Sequence, residues 1–500
     1  MLSASVYLGT PKLRSAVLGA AAAVLITGTV SFLRLHSKLT KRSDRSTEEK
    51  DPFARRVEEA CASPRSRTIV MVTNRIGTFQ GATGGGSYMR EVLIAALEEE
   101  GYQLHKFSAG HDIQPDVVET VRGPMLVLTA RNIEELERML QKASLLIISG
   151  SYTPFMAWAA ARASILGVKS LFLITMNSYE AAQKSFSTAP IARLLATFLY
   201  RWSDKFCSSI MTSSFTRSEE YARVLKDERG ISVDGVMTQN SQYRSFHKLD
   251  PLNDEAVKEV KAKRNLFTRG EPSRPILLFA GRFRPEKRIS LLVKAFEQAK
   301  QEGLFNGGPA EGCVLALVGS GDEKTNCEMA KLNDPEKGIF VRPSFVPHKE
   351  LRACYQAADV HVSASDFETL GNTVHESLLC GTPAVVQRAG GYISQIGEDD
   401  FQEEQRQGFL VDYEDVPAVA AAIEKAILLK MASSKPGAPK VGPQKRSKTT
   451  EGTDIVRQLL YESAGTATRN GSTSSLAMAP CSFVLSVLYP AYEFLAVLSN

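Results

Sequence analysis

Residues Asp359–Gly391 read DVHVSASDFETLGNTVHESLLCGTPAVVQRAGG, and the pattern of this stretch decides how the rest of the chain is read. Asp359–Ser363 is a short β-branched run, Leu370–Leu379 carries apolar side chains at helical spacing, and Gly381–Pro383 stops that helix before a second run, Ala384–Val386. Strand, loop, helix, strand is the unit of a parallel sheet. It turns the loop Ala364–Thr369 to the carboxyl end of its strand, where ligands of doubly wound sheets bind. Glu368 and Glu376 lie eight residues apart, the first at the mouth of the helix and the second about two turns into it. A helix beginning near Thr369 leaves the N–H groups of Thr369, Leu370, Gly371 and Asn372 unpaired at the positive end of its dipole, which makes an anion site. Gly371 keeps the approach to that backbone open. Carboxylates beside an anion site fit a ligand whose sugar hydroxyls flank a diphosphate.

Upstream, the strand-like run Pro275–Ala280 ends in Gly281-Arg282, and Pro285-Glu286-Lys287 opens the next helix. Arg282 and Lys287 then share a rim with Glu368, where fixed cations would stabilise the charge that gathers on a diphosphate as its bond to a sugar breaks. Each such charge-assisted contact is worth about 1.5–3 kcal/mol. Gly319-Ser320-Gly321 closes another strand on that rim as a tight turn, and Gly390-Gly391 would admit a sugar close to the backbone. No Asp-x-Asp occurs in the chain, so no metal is expected at the diphosphate; the cations and the helix start take that part.

The E-x7-E string ETLGNTVHE, the GR/EK pair and VGSG together resemble the donor site of the retaining nucleotide-sugar glycosyltransferases of the glycogen-synthase-like kind (group 1). Within them, SASDFETLGNTVHESLLCGTPAVVQRAGG is most similar to the plant and cyanobacterial sulfoquinovosyltransferases of sulfolipid synthesis. The resemblance covers roughly Thr68–Met431 and is strong only in the second half. It implies an α/β fold of GT-B architecture, two Rossmann-like parallel-sheet domains facing across a cleft. It implies Arg282, Lys287 and Glu368 as catalytic residues, and Gly85, Gly86, Arg282, Lys287, Gly319, Gly321, Glu368, Thr369, Leu370, Gly371 and Glu376 as the donor-binding set. The reaction implied is metal-independent hexosyl transfer with retention, from a UDP sugar, specifically UDP-sulfoquinovose, to a lipid acceptor, specifically diacylglycerol, with no cofactor beyond the donor. The alternatives are mannosyl, glucosyl or galactosyl transfer to another lipid or a glycan, or a catalytically silent module that binds nucleotide sugar. One departure bears on the sugar. Where the sulfolipid enzymes carry histidines after two strands of the first domain, this chain reads IISGSYTP (Ile147–Pro154) and LITMNSYEAAQ (Leu173–Gln183), with Ser149, Ser151, Asn177 and Tyr179 in their place.

The remaining chain is read around this core. At 500 residues and 43% hydrophobic content there is material for two domains. Seven scattered cysteines without a C-x-x-C pair imply neither a disulfide framework nor a zinc site. The formal net charge of +5 does not point to nucleic acid as a partner. The first acidic residue is Asp44, and basic residues bracket an apolar run of 18 residues, Ala16–Leu33. Residues 1–42 are therefore expected to be a targeting or membrane-anchor segment, which together with the resemblance suggests a membrane-associated protein of the plastid envelope or, alternatively, the endomembranes. A linker is expected over 43–66, a first Rossmann-like acceptor domain over 67–250, an interdomain linker over 251–274, the nucleotide-sugar domain over 275–431, a basic low-complexity linker over 432–475, and an apolar segment over 476–500. That last segment is expected to cross back onto the first domain or to touch a membrane. In the first domain, TIVMVT (Thr68–Thr73), the glycines Gly84–Gly86 and a helix over Ser87–Glu100 make a Rossmann-like opening, and the amphipathic stretch Ile191–Phe206 suits a core-facing helix or a lipid surface.

Overall fold

The computed structural model describes residues 67–73, 93–109, 117–120, 123–128, 133–149, 154–174, 190–237, 254–366, 368–397, 407–434, 441, 449–450 and 452–461. In chain order its strands are β1 (Thr68–Thr73), β2 (Gln103–Ala109), β3 (Val117–Thr120), β4 (Gly123–Leu128), β5 (Leu145–Ser149), β6 (Lys169–Ile174), β7 (Ser213–Thr216) and β8 (Gly235–Met237). Then come β9 (Ile276–Ala280), β10 (Val314–Gly319), β11 (Ile339–Pro343), β12 (Val360–Ser363), β13 (Ala384–Gln387), β14 (Gly408–Val411) and β15 (Thr449–Thr450). The first sheet runs β15-β8-β7-β6-β5-β1-β2-β4-β3 and the second β11-β10-β9-β12-β13-β14. Every pairing is parallel except that of β3 with β4 at the edge of the first sheet. Strands such as TIVMVT, LLIIS and ILLFA are buried along their whole length, as a sheet covered by helices on both faces requires. The α/β class with two parallel-sheet units of GT-B type is what the sequence predicts.

Helices cover both faces. In the first unit they are α1 (93–99), α2 (Ile133–Leu140), α3 (Pro154–Ile165), α4 (Pro190–Ile210) and α5 (Glu219–Arg229). The second has α6 (Asp254–Thr268), α7 (Ile289–Gln301), α8 (Glu323–Ala330), α9 (His348–Ala357), α10 (Asn372–Leu379), α11 (Gly391–Ile396) and α12 (Val416–Ser433). The end of α4 packs Trp202, Phe206 and Ile210 against the first core, with Trp202 stacked on Phe206.

Two stretches read as linkers are structured. Residues 251–274 hold α6, which lies on the second unit: Phe267 is buried edge-on to Phe340, Lys263 pairs with Glu350, and the Arg264 guanidinium reaches Asp359 and the Ala357 carbonyl. The charges that suggested a linker are the partners of that packing. Within 432–475, β15 pairs with β8, and α13 (Gly452–Tyr461) buries Ile455 and Val456 in the core of the first unit, while Arg457 bridges to Glu100 at 2.6 Å. The chain therefore returns to its first unit at 449–461, ahead of the segment 476–500, which lies outside the described residues. So do the apolar run 16–33 and the glycines Gly84–Gly86; among the described residues no helix is long and apolar enough to cross a membrane.

Candidate active site

In the second sheet the chain passes from β9 to β10 on one side and later fills in β12 on the other, so the topological switch point lies between β9 and β12. Loops leaving the carboxyl ends of those two strands border the crevice where such sheets bind ligands. They are laced together. The Glu286 carbonyl accepts from Ser365 Oγ at 3.1 Å and from the Asp366 amide at 3.3 Å, while Gly281 N–H bonds to Val318 O and Phe283 N–H to Ser320 O. Arg282 follows β9 directly, Lys287 ends a single 3-10 turn, Pro285–Lys287, and Glu368 sits on the loop after β12.

Lys287 Nζ forms an ion pair with Glu368 Oε1. Arg282 is exposed by area yet walled by protein atoms. Desolvation, and next the charge of Arg284, push its guanidinium below the ordinary arginine range, against the pull of Glu286 and Glu368. Arginine remains charged all the same. Arg282, Lys287 and Glu368 thus share one electrostatic field.

The helix start differs from the expectation. It was predicted near Thr369, but α10 begins at Asn372 with Gly371 as its N-cap, in the left-handed region at φ 84°. Thr369 and Leu370 precede it as a bent loop, held by α11: Gly391 N–H bonds to Glu368 O at 2.8 Å, and Gln395 Nε2 donates to Leu370 O and to Gly371 O. Because C=O and N–H of a trans peptide point in opposite directions, Gln395 turns the amides of Gly371 and Asn372 away from α11. Among the described residues no acceptor takes the N–H of Leu370, Gly371, Asn372 or Thr373. A run of unengaged amides is present, shifted toward the helix by one residue from the run expected.

Gly371, Gly390 and Gly391 were read as room for a ligand and Gly319 and Gly321 as a turn, and packing accounts for all five. A Cβ on Gly371 would come within 2.3 Å of the Tyr392 ring, on Gly390 within 2.2 Å of Glu368 O, and on Gly391 within 2.2 Å of Leu370 Cα. On Gly319 it would lie 1.7 Å from Gly281 O, and on Gly321 2.7 Å from Phe283 O. At Gly319, Gly321, Gly390 and Gly391 the loops pack backbone on backbone, and at Gly371 the backbone packs on the Tyr392 ring, which brings the rim together.

Glu376 lies one turn into α10 with 5% of its surface exposed, and Tyr355 Oη of α9 donates to its Oε2 at 3.0 Å. Burial pushes its carboxyl up to about 8, against the opposing effect of that hydrogen bond. With a folded pKa above the unfolded one, the stability due to this group is full below the unfolded value of about 4.5, is lost as pH rises toward the folded value of about 8, and is flat beyond. Each pKa unit is worth about 1.4 kcal/mol. Glu376→Gln, which has no proton to lose, should therefore gain melting temperature relative to the parent between pH 5 and pH 8 in scanning calorimetry without nucleotide. A difference independent of pH would show that Glu376 ionises normally.

The first unit reaches this loop too. Arg217 and Ser218 follow β7; Ser218 Oγ donates to Thr369 O at 2.6 Å while capping α5 through Tyr221 N–H, and Arg217 Nη2 stands 3.4 Å from Asn372 Oδ1. The carboxyl edges of the two sheets therefore face one another. Ser149 ends β5 fully buried, in register with Thr73 across the switch point of the first sheet. Gly85, Gly86, Ser151, Asn177 and Tyr179 lie outside the described residues. Tyr355, Tyr392, Gln395 and Ser218 were not singled out from sequence; none stands in a motif, and only the folded contacts mark them.

Comparison with known proteins gives partial matches. Residues 150 in length align at 32% identity with sulfoquinovosyl transferase SQD2 of Arabidopsis thaliana, covering 30% of this chain and 26% of that protein. A 2-deoxystreptamine glucosyltransferase of Streptomyces kanamyceticus aligns at 25% identity over 47% of this chain and 57% of its own length. A D-inositol 3-phosphate glycosyltransferase of Thermomonospora curvata aligns at 33% over 41% and 46%. The chain thus spans from about a quarter to just over half the length of these relatives. Among solved structures, the catalytic domain of starch synthase IV from Arabidopsis thaliana, bound to ADP and acarbose, superposes with a TM-score of 0.48 at 13% identity, covering 85% of this chain and all of that one. It is the second unit, over residues 263–437, that matches the family Glycosyl transferases group 1.

Proposed function

We propose that this chain is a metal-independent, retaining glycosyltransferase that moves a hexosyl group from a nucleotide sugar to a lipid acceptor. The observation that carries the reading is the gathering of Arg282, Lys287 and Glu368 beside the unengaged amides of Leu370–Thr373 at the switch point of the second sheet. The sugar–phosphate bond breaks and its electron pair stays on the diphosphate. Arg282, Lys287 and the amides offset that charge, and Glu368 and Glu376 accept from sugar hydroxyls. The acceptor oxygen joins the anomeric carbon from the same face. Its proton passes to the departing phosphate oxygen, so no enzymic base is needed.

The specific donor is UDP-sulfoquinovose and the acceptor diacylglycerol, a reading supported by the ETLG-to-AGG string and by the similarity to a sulfoquinovosyl transferase. The basic, acid-free residues 1–42 suit membrane association, at the plastid envelope or alternatively the endomembranes. A second reading, glucosyl, galactosyl or mannosyl transfer to another lipid or a glycan, is favoured by Ser149 standing where the sulfolipid enzymes carry a histidine. The test is to offer the detergent-solubilised full chain a panel of UDP and GDP sugars, UDP-sulfoquinovose among them, with diacylglycerol, and to weigh the lipid product. A sulfoquinovosyl product supports the specific assignment, and another hexosyl product supports the second reading. Nucleotide sugar bound but not turned over would identify a silent module, and no binding at all would end the transferase reading.

A further inference from the structure

We propose that Tyr392 is the positioning residue for Glu368, fixing through its hydroxyl which carboxylate oxygen is offered to the donor. The inference rests on the transferase reading and adds to it a residue outside every motif. Glu368 lies on the loop ahead of α10, so no helix of its own holds its side chain. Two successive residues of α11 do so: the Gly391 amide binds the Glu368 carbonyl at 2.8 Å, and Tyr392 Oη meets Oε1 at 3.2 Å. Tyr392 is 1% exposed, and its ring fills the space a side chain on Gly371 would need, so the hydroxyl cannot swing away.

The direction of the bonds follows from counting protons. An ionised carboxylate only accepts, so the single phenolic proton goes to Glu368. Ser363 Oγ, 2.9 Å from Tyr392 Oη at the end of β12, must then donate to the phenol. Burial, and next the charge of Glu368, push the phenol well above its ordinary range, which keeps that proton in place. Lys287 also meets Oε1, and among the described residues no hydrogen bond uses Oε2. Two donors hold one oxygen and leave the other for a sugar hydroxyl. A carboxylate free to rotate would present either oxygen, and the geometry on which transfer depends would be populated only part of the time.

The experiment is a double-mutant cycle on the full chain, using the UDP or GDP sugar that the parent turns over. Tyr392→Phe should lower kcat/KM about tenfold, the effect of about 1.4 kcal/mol in the barrier. In a Glu368→Ala background the same change should cost less than about twofold, because the group it positions is gone. Equal losses in both backgrounds would show that the hydroxyl serves only the fold, and an unaffected Tyr392→Phe would remove it from the site; either result overturns the inference and spares the transferase reading. A parent chain that turns over no nucleotide sugar brings down both.

Discussion

Replacing Arg282 with alanine should lower turnover of the nucleotide sugar by about two orders of magnitude under the proposed function, the usual cost of losing one preorganised donor to developing negative charge. The melting temperature should hardly move. Arg282 is exposed, and among the described residues it makes no hydrogen bond or ion pair, so the fold gains little from it. Exposed substitutions of this kind typically change stability by about 0.5 kcal/mol or less. What Arg282 does have is a position at the end of β9, hard by the switch point, where protein atoms strip it of part of its water and Arg284 repels it. A cation kept in such a place without a partner suits an anionic ligand better than it suits the fold. Lys287→Ala is a less clean variant, because it also releases Glu368. Steady-state kinetics with a parallel thermal melt decide the matter: turnover at the parental level would mean that Arg282 does not hold the diphosphate, and a collapse in melting temperature would mean that it serves the fold.

The second unit was legible in the sequence because its strands are buried on both faces. ILLFA, VLALVG and AVVQ have no polar alternation to confuse them, and the runs Pro275–Ala280, Asp359–Ser363 and Ala384–Val386 lie within one residue of β9, β12 and β13. The candidate site was legible to the same degree. Arg282, Lys287 and Glu368 were expected on one rim and are found there, since strand ends of a parallel sheet leave little choice of place. The start of α10 was not, because propensity favours continuing the helix back through Leu370 and Thr369, while Gln395 and Gly391 tie that backbone to α11 as loop. Sequence also marks that a glycine is needed without marking what it must avoid. Gly371 and Gly390 were read as room for a ligand and instead clear the Tyr392 ring and the Glu368 carbonyl.

Elsewhere composition hid structure. In DEAVKEVKAKRNLF the charges outnumber the apolar residues, yet Phe267 alone anchors α6 against Phe340 while Lys263 and Arg264 find carboxylates on the second unit. In GTDIVRQLLY the apolar face of α13 is short and lies beyond a Ser-, Lys- and Pro-rich stretch, so its burial in the core of the first unit could not be seen without the fold. Both errors concern segments that join the two units, whose partners are distant in sequence.

Gly391→Ala should abolish most of the activity by a different route, moving the site without removing any group that acts in it. A methyl there would meet Leu370 Cα at 2.2 Å, Leu370 N at 2.5 Å and Thr369 O at 2.5 Å. All three are backbone atoms, so no rotamer can relieve the clash, and α11 and the loop must part. Parting stretches the hydrogen bond from the Gly391 N–H to the Glu368 carbonyl, the one from Tyr392 Oη to Glu368 Oε1 and the Gln395 contacts together. A displacement of about 1 Å at a positioned group costs about a hundredfold in rate, and overpacking costs about 1–3 kcal/mol in stability. Gly312→Ala is the matched control. It precedes β10, at the amino ends of the strands and so away from the site, where an added methyl meets nothing within 4 Å but the backbone is left-handed at φ 67°. That strain costs about 1–2 kcal/mol, so both variants should melt lower by similar amounts. Only Gly391→Ala should lose turnover, by about a hundredfold. Were the two variants to retain equal activity, the contact between α11 and the loop would matter to the fold and not to the chemistry.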